Sequence, residues 1–336
     1  MASRVGIREV AALAQVAQGT VSHFINHPDK VSLEKRERIQ RAIDELGFVR
    51  NDAASQLRRG SSATIAYIAP DISNPFFATI AEGVEQRAAA DGLSVFLANS
   101  NRSREREDAY LEMFQAHRVR GLLVASHGPI EDRLAHIRRL GTPSVLVGQR
   151  ALASEQPSVS VDDELGGYLA ARHLIEQSAR RIAFVGGPLG VPQISDRIEG
   201  ASRAVRECVD ATLEVINVSS RTLAVGREVA AEIAKRSPER RPEAIFAAND
   251  LLALGLMHGL VVDNGLGIPA DTLLVGYDDI EFAEASVIPL TSVRAPHEEF
   301  GIAAVDLLQA AIAKDTESAK QIIFKPKLMV RASTLA

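Results

Sequence analysis

Over the first fifty residues, apolar positions recur every three or four. Ile7, Val10, Ala11 and Ala14 stand at i, i+3, i+4 and i+7, the spacing of one helical face. Gln15, Val16 and Ala17 break the pattern. A second helix follows, with Val21, Phe24 and Ile25 turned inward and Gln18, Gly19, Ser22, His23 and Asn26 outward. A third puts Leu33, Ile39, Ile43 and Leu46 inside and Lys35, Arg36, Arg38 and Arg41 outside. Three short helices around one small core, with a polar second helix, can carry side chains into a DNA major groove. The periodicity alone fits any small three-helix domain equally well.

Beyond the short polar joint Arg59-Gly60-Ser61-Ser62 the pattern changes. Apolar runs of strand length alternate with amphipathic helices. The runs are Thr64–Ala69, Ser94–Asn99, Gly121–Ala125, Ser144–Val147, Arg181–Val185, Leu213–Val218, Ala244–Ala248 and Leu273–Tyr277. In the helix opened by Asn74 and Pro75, the residues Phe77, Ile80, Ala81, Val84 and Ala88 share a face, with Asn74 as cap and Pro75 at the first helical position. Such β–α alternation predicts parallel, doubly wound sheets with ligand sites beyond the strand C-termini. Residues 61–336 are too many for one such sheet and suit two. No fixed-period repeat or low-complexity segment interrupts them.

The residues of the first segment carry a resemblance. Val10, Ala11, Ala14, Val16, Thr20, Val21, Ser22 and Asn26, then Val31, Ser32, Arg36, Ile39, Leu46, Gly47 and Phe48, resemble the DNA-binding headpiece of the LacI/GalR family of bacterial transcription regulators. The likeness continues through nearly the whole chain. It implies a helix-turn-helix headpiece over 1–48, a hinge helix and linker over 49–60, and a periplasmic-binding-protein-like α/β core of two lobes. One lobe would hold 61–161 plus 291–320 and the other 162–290 plus 321–336, with crossovers near Val161, Thr291 and Gln321.

Composition narrows the function classes. The chain has 336 residues, 46% of them hydrophobic, enough for a large core. Its single cysteine, Cys208, allows no internal disulfide, and the start lacks an apolar signal core, so a cytoplasmic setting is expected. The longest apolar stretches are too short to span a bilayer. The net charge of −5 hides an asymmetry: residues 1–60 carry ten Lys/Arg against seven Asp/Glu, leaving the remainder at −8. That places a nucleic-acid surface at the N-terminus. There is no GxGxxG after the first strand, no phosphate loop, no GxSxG elbow and no metal-spaced His or Cys cluster, so neither catalysis, a cofactor nor a metal is expected.

On the resemblance, base-reading positions fall on Gln18, Gly19 and His23, although Gly19 offers no side chain. Thr20, Ser22, Asn26, Lys30 and Ser32 suit phosphates, which position without specifying; an ordinary polar helix face remains the alternative for Thr20 and Ser22. Gln15 replaces a turn glycine common in the family, where a left-handed backbone would cost about 1–2 kcal/mol. Ala17 replaces a capping serine, a loss of about 1 kcal/mol. Residues 51–59, NDAASQLRR, resemble the hinge helix, with Asn51 as cap and Ala54 and Leu57 on one face. Leu57 would be the wedge that kinks DNA in the minor groove; a plain linker is the alternative. Arg50 stands where the family usually has proline.

In the core, Asn74-Pro75-Phe76-Phe77, Asp196-Arg197, Asn249-Asp250 and Tyr277-Asp278-Asp279 all fall at strand ends or helix starts. Arg197 supplies a rigid fork of donors, Asp278 an acceptor-only carboxylate, and Phe76 or Phe77 an apolar platform, the set a sugar requires. The resemblance extends the effector set to Ser126, Arg150, Gln193 and Asn249. Phe77 suits the helix core equally well, Arg197 and Asp278 could pair with each other, and Asp250 and Asp279 suit turn or helix capping. Sugar binders of this fold often carry Asp-Arg where this chain has Gly148-Gln149-Arg150, and Gln where it has Ala295. Arg221 lies near a position where an aromatic is common, which leaves room for an anionic ligand such as a sugar phosphate.

The expectation is a homodimeric repressor on a palindromic operator DNA, controlled by a small metabolite. A sugar stands first among effectors, ahead of a sugar phosphate or a nucleoside or purine. The alternative is a sugar-binding protein without a regulatory role.

Overall fold

The computed structural model describes residues 5–48, 62–315 and 320–335 and divides into two compact units, residues 1–61 and 62–336. The expected hinge over 49–60, with Asn51, Ala54 and Leu57, lies outside the described residues.

In the first unit, α1 (Ile7–Leu13), α2 (Gln18–Asn26) and α3 (Leu33–Leu46) enclose Val10, Ala11, Ala14, Val21, Ile39 and Ala42. Phe24, Ile25, Ile43 and Leu46 pack against them. Gln15 takes φ 52°, the left-handed turn that its place in the motif implies, and Ala17 precedes α2 without a side-chain cap. At the end of α3 the same conformation is taken by Gly47 with φ 58°, where no Cβ opposes it. Leu33 corrects the expected core: it is 71% exposed. The buried stripe of α3 runs through 39, 42, 43 and 46, and a residue six positions before Ile39 falls on the far side of the helix.

The second unit holds two six-stranded sheets. The first comprises β1 (Thr64–Ala69), β2 (Ser94–Asn99), β3 (Leu122–Val124), β4 (Ser144–Val147), β5 (Ser158–Val161) and β11 (Gln321–Phe324), all parallel, in the order β11-β5-β4-β3-β1-β2. The second comprises β6 (Arg181–Gly186), β7 (Thr212–Asn217), β8 (Ala244–Ala247), β9 (Leu273–Asp278), β10 (Thr291–Arg294) and β12 (Lys327–Met329), in the order β12-β10-β9-β8-β6-β7. Only β12 runs antiparallel in it, beside β10.

The connecting helices are α4 (Pro75–Ala90), α5 (Arg104–Ala116), α6 (Glu131–Arg139), α7 (Asp163–Glu176), α8 (Pro192–Arg206), α9 (Leu223–Ala234), α10 (Asp250–Met257), α11 (Glu281–Ala285) and α12 (His297–Ala313). Alternate residues of each strand feed opposite faces. Ile65, Tyr67 and Ala69 pack on α4 and α12 through Ile80, Val84, Phe300, Ala304 and Leu308. Ala66 and Ile68 pack on α5 and α6 through Leu111, Phe114, Leu134 and Ile137. Phe184, Phe246 and Tyr277 face α7 and α8, while Val185, Ile245 and Leu274 face α9 and α10. Covered faces on both sides explain why central strands read as continuous apolar runs.

The pairing moves two expected lobe boundaries. Residues 291–294 pair with β9 in the second sheet, so the chain crosses to the first lobe after Arg294 rather than at Thr291. Residues 321–324 pair with β5 in the first sheet, so the last crossing follows Phe324 rather than preceding Gln321. The first crossing follows Val161 at the end of β5.

Candidate functional site

The outer face of α2 presents Gln18, Gly19 and His23 to solvent, with Thr20, Ser22 and Asn26 half-buried beside them. The carbonyl of Ser22 accepts a 2.7 Å hydrogen bond from Asn26 Nδ2, which ties one turn of the helix to the next. Lys30 and Ser32 are exposed in the segment leading to α3. Arg36, by contrast, turns back to donate to the Val31 carbonyl at 2.7 Å. The core of Val21, Phe24 and Ile25 fixes which face of α2 is left polar.

The second unit contains a cleft between its two sheets, at the C-terminal ends of their strands and open at its mouth, the place where doubly wound sheets take a small molecule. Seven of the eight expected effector residues line it: Phe76, Phe77, Ser126, Gln193, Arg197, Asn249 and Asp278. The eighth, Arg150, does not and is exposed. Gly148 takes φ 84° after β4, which turns the Gln149 side chain inward to donate to the Ser126 carbonyl and leaves the next residue facing out.

Asn74 Oδ1 accepts from the Phe76 amide at 3.1 Å, capping α4 and setting Phe76 and Phe77 at the cleft wall with their rings edge to face at 4.9 Å. Phe77 also packs on the first core, so it serves core and cleft together.

Arg197 is held from three sides. Its Nε donates to Asp163 Oδ1 at 2.8 Å, a second nitrogen donates to the Ala248 carbonyl, and its guanidinium stacks on the Tyr277 ring with 3.4 Å to the centroid. Burial opposes its charge, but Asp163, Tyr277 and Asp278 outweigh that and hold the guanidinium above its ordinary range. Its ion-pair partner is therefore Asp163, not Asp278. This placement needs α7 and α8 in close contact: a Cβ on Gly167 would overlap the Arg197 carbonyl, and one on Gly200 the Glu164 carbonyl.

Asp278 ends β9 with φ 99°, a conformation that non-glycine residues seldom adopt. Burial raises its carboxyl to about 6, against the pull of Arg197, the Asn74 side chain and Arg221. Strained backbone of this kind is concentrated at ligand sites. Asp250 and Asp279 are structural. The former accepts from Ser292 Oγ at 2.6 Å and from the Ile280 amide at 2.8 Å; the latter pairs with Arg294 and Arg331.

Two groups that the sequence left unassigned also face the cleft. His127 follows β3, and burial together with Arg221 and Arg102 lowers it to about 4, so its ring is neutral. Asp163 sits one residue inside α7, beside the capping Asp162, whose Oδ1 accepts from the Leu165 amide at 2.9 Å. Two carboxylates at a helix start have a sufficient local explanation in capping, so no sequence signal marks the one that turns inward.

Contacts join the two lobes across the cleft. Gln193 Nε2 donates to the Gly148 carbonyl at 2.8 Å, Arg221 donates to His127 Nε2 at 3.1 Å, and the Asn74 side chain meets Asp278. Gln193 Oε1 is buried with no hydrogen-bond partner, an acceptor left open to a donor in the cleft.

Comparison with known proteins bears on both units. Residues 6–51 match the bacterial regulatory proteins of the lacI family, and residues 171–334 match a periplasmic binding protein-like domain. The chain is 32% identical to the HTH-type transcriptional repressor PurR of Vibrio atlanticus (strain LGP32), over 98% of each protein. Among solved structures, it resembles the lac repressor dimer bound to operator and the anti-inducer ONPF, with 26% identity, a TM-score of 0.83, and 99% of this chain and all of that one covered. It likewise resembles the transcriptional regulator CelR in complex with cellobiose, with 31% identity, a TM-score of 0.71, and coverage of 98% and 100%.

Proposed function

The chain belongs to the LacI family of bacterial regulatory proteins, DNA-binding transcription regulators controlled by small molecules, and from that premise we propose how its residues divide the work. The exposed face of α2 enters the major groove, with Gln18 and His23 on base edges and Thr20, Ser22, Asn26, Lys30 and Ser32 on phosphates. The interlobe cleft takes a small polyhydroxylated effector. Arg197 and Asn249 offer donors, Asp278 and Gln193 Oε1 offer acceptors, and Phe76 and Phe77 cover an apolar ring face. Of these, Gln193 Oε1 carries most weight, because a buried acceptor without a partner is satisfied by a ligand hydroxyl. Binding favours one lobe arrangement and so biases operator affinity. The protein represses as a dimer in the cytoplasm and performs no catalysis. The support for self-association is β2, the outer strand of the first sheet among the described residues, where Phe96 and Leu97 are about half exposed. A sugar-binding protein without a regulatory role would have no use for the headpiece.

Selection of bound duplexes from a random pool, followed by affinity measurement with and without monosaccharides, tests this reading. A palindromic consensus is expected. Gln18→Ala should cost about 1–3 kcal/mol on it and relax one base position, whereas Lys30→Ala weakens all sequences alike. Failure to enrich any sequence would overturn the assignment of α2.

A further inference from the structure

The Arg221 guanidinium lies half-buried in the cleft, in the loop between β7 and α9. One of its nitrogens donates to the Gly187 carbonyl at 2.5 Å and another to His127 Nε2 at 3.1 Å. Both partners are neutral, and Arg221 forms no ion pair among the described residues. The neighbouring cations differ in this respect. Arg197 has Asp163 as a direct partner, and Arg102, in the adjoining recess that shares Ser126 and His127 with the cleft, has Asp71 at 3.8 Å. Burial, together with Arg197 and Arg102, brings the Arg221 pKa down to about 10, against the opposing pull of Asp278 and Asp71, neither of which pairs with it directly. A guanidinium desolvated beside other cations without a carboxylate of its own carries a cost that a bound anion would relieve. His127 has its Nε2 occupied as an acceptor from Arg221, so an anion that took that donor would free the imidazole to donate through the same nitrogen in its other tautomer.

We propose that the effector carries an acid group, phosphate or carboxylate, seated on Arg221 and His127, with its hydroxyls turned toward Arg197, Asn249 and Asp278. This rests on the reading of the cleft as a site for a polyhydroxylated ligand and narrows it to an acidic sugar derivative. The bridge between Arg221 and His127 is then exchanged for two contacts to one anion. The ligand replaces a direct tie between the lobes with one that runs through itself.

The test is isothermal titration of the full chain with matched compounds: glucose, glucose 6-phosphate and gluconate, and ribose with ribose 5-phosphate. In at least one series the acid-bearing compound should bind about tenfold or more tighter than its neutral parent, as charge-assisted hydrogen bonds predict. Whether phosphate or carboxylate wins identifies the acid. Arg221→Gln should collapse that ratio to about one, while Arg221→Lys keeps most of it through its charge. Inorganic phosphate should compete with the acid-bearing compound on the unmutated protein, a readout that no variant's folding can disturb. A neutral parent that binds as tightly as its acid derivative, or a ratio that survives Arg221→Gln, overturns the proposal and leaves the polyhydroxylated reading standing. Silence of both neutral and acidic compounds overturns both.

Discussion

At the scale of single residues, the cleft trades stability for function. Asp278 has its carboxyl held at about 6 in the folded core against an ordinary 3.8, because burial disfavours its charge. A raised acid penalises folding fully above about pH 6. The penalty shrinks as pH falls between the two values and is absent below about pH 4. Asp278→Asn should therefore stabilise the core by on the order of 2–3 kcal/mol near neutral pH while removing the ligand response, and the gain should vanish by about pH 4. Urea denaturation across that range checks it; a variant less stable than the parent at pH 7 would contradict the cause given for the shift. The amide also tolerates the positive φ at this position. Arg197→Ala is a poorer probe, since it strands the buried Asp163 without its partner. In the headpiece, Gln15→Gly relieves a left-handed backbone and should raise local stability by about 1 kcal/mol, read as slower amide exchange in α1 and α2. That strain was legible in the sequence from one missing glycine. The inward turn of Asp163 was not, because a carboxylate at a helix start has a sufficient local explanation.

Among elements, long central strands and the amphipathic α4 were legible because burial on both faces, or on one stripe, writes itself into the pattern. Four short strands were not: β5, β10, β11 and β12. Ser158 and Ser160 alternate with valines in β5, and Lys327 opens β12, so neither reads as an apolar run although the β5 serines are buried. All four of these strands flank the crossings between lobes, which is why two boundaries were displaced by about one strand length. The cleft depends on a further element-level feature, the contact of α7 with α8. Gly167→Ala would put a methyl against the Arg197 carbonyl and force the helices apart. A loss of about 1–3 kcal/mol is expected, with weakened effector binding because Arg197 moves off Asp163 and Tyr277. Thermal unfolding and effector titration together check it. Unchanged affinity in a destabilised protein would show that Arg197 does not depend on that packing.

For the whole molecule, the division into headpiece and core was legible from a change of period near residue 60, and the position of the cleft from the rule that ligands sit beyond strand C-termini. Cleft lining was legible where a strand end or a family pattern marked the residue, except at Arg150, which is exposed. It was hidden for His127, whose neutrality arises from burial and from Arg221 and Arg102, which only the fold brings beside it. The interleaved lobes also have a consequence in time. The first sheet's strands through β5 leave the ribosome early, yet the face formed by Ile65, Tyr67 and Val145 is covered by α12, which is complete only about 150 residues later. At typical rates of synthesis, about 5–20 residues per second, that face waits roughly 8–30 s for its cover. A chain ended after residue 296 should therefore be recovered in aggregates or bound to chaperones, and adding residues 297–336 as a separate peptide should rescue part of it. Birth order, as much as packing, makes the newborn first lobe the most vulnerable part of this regulator.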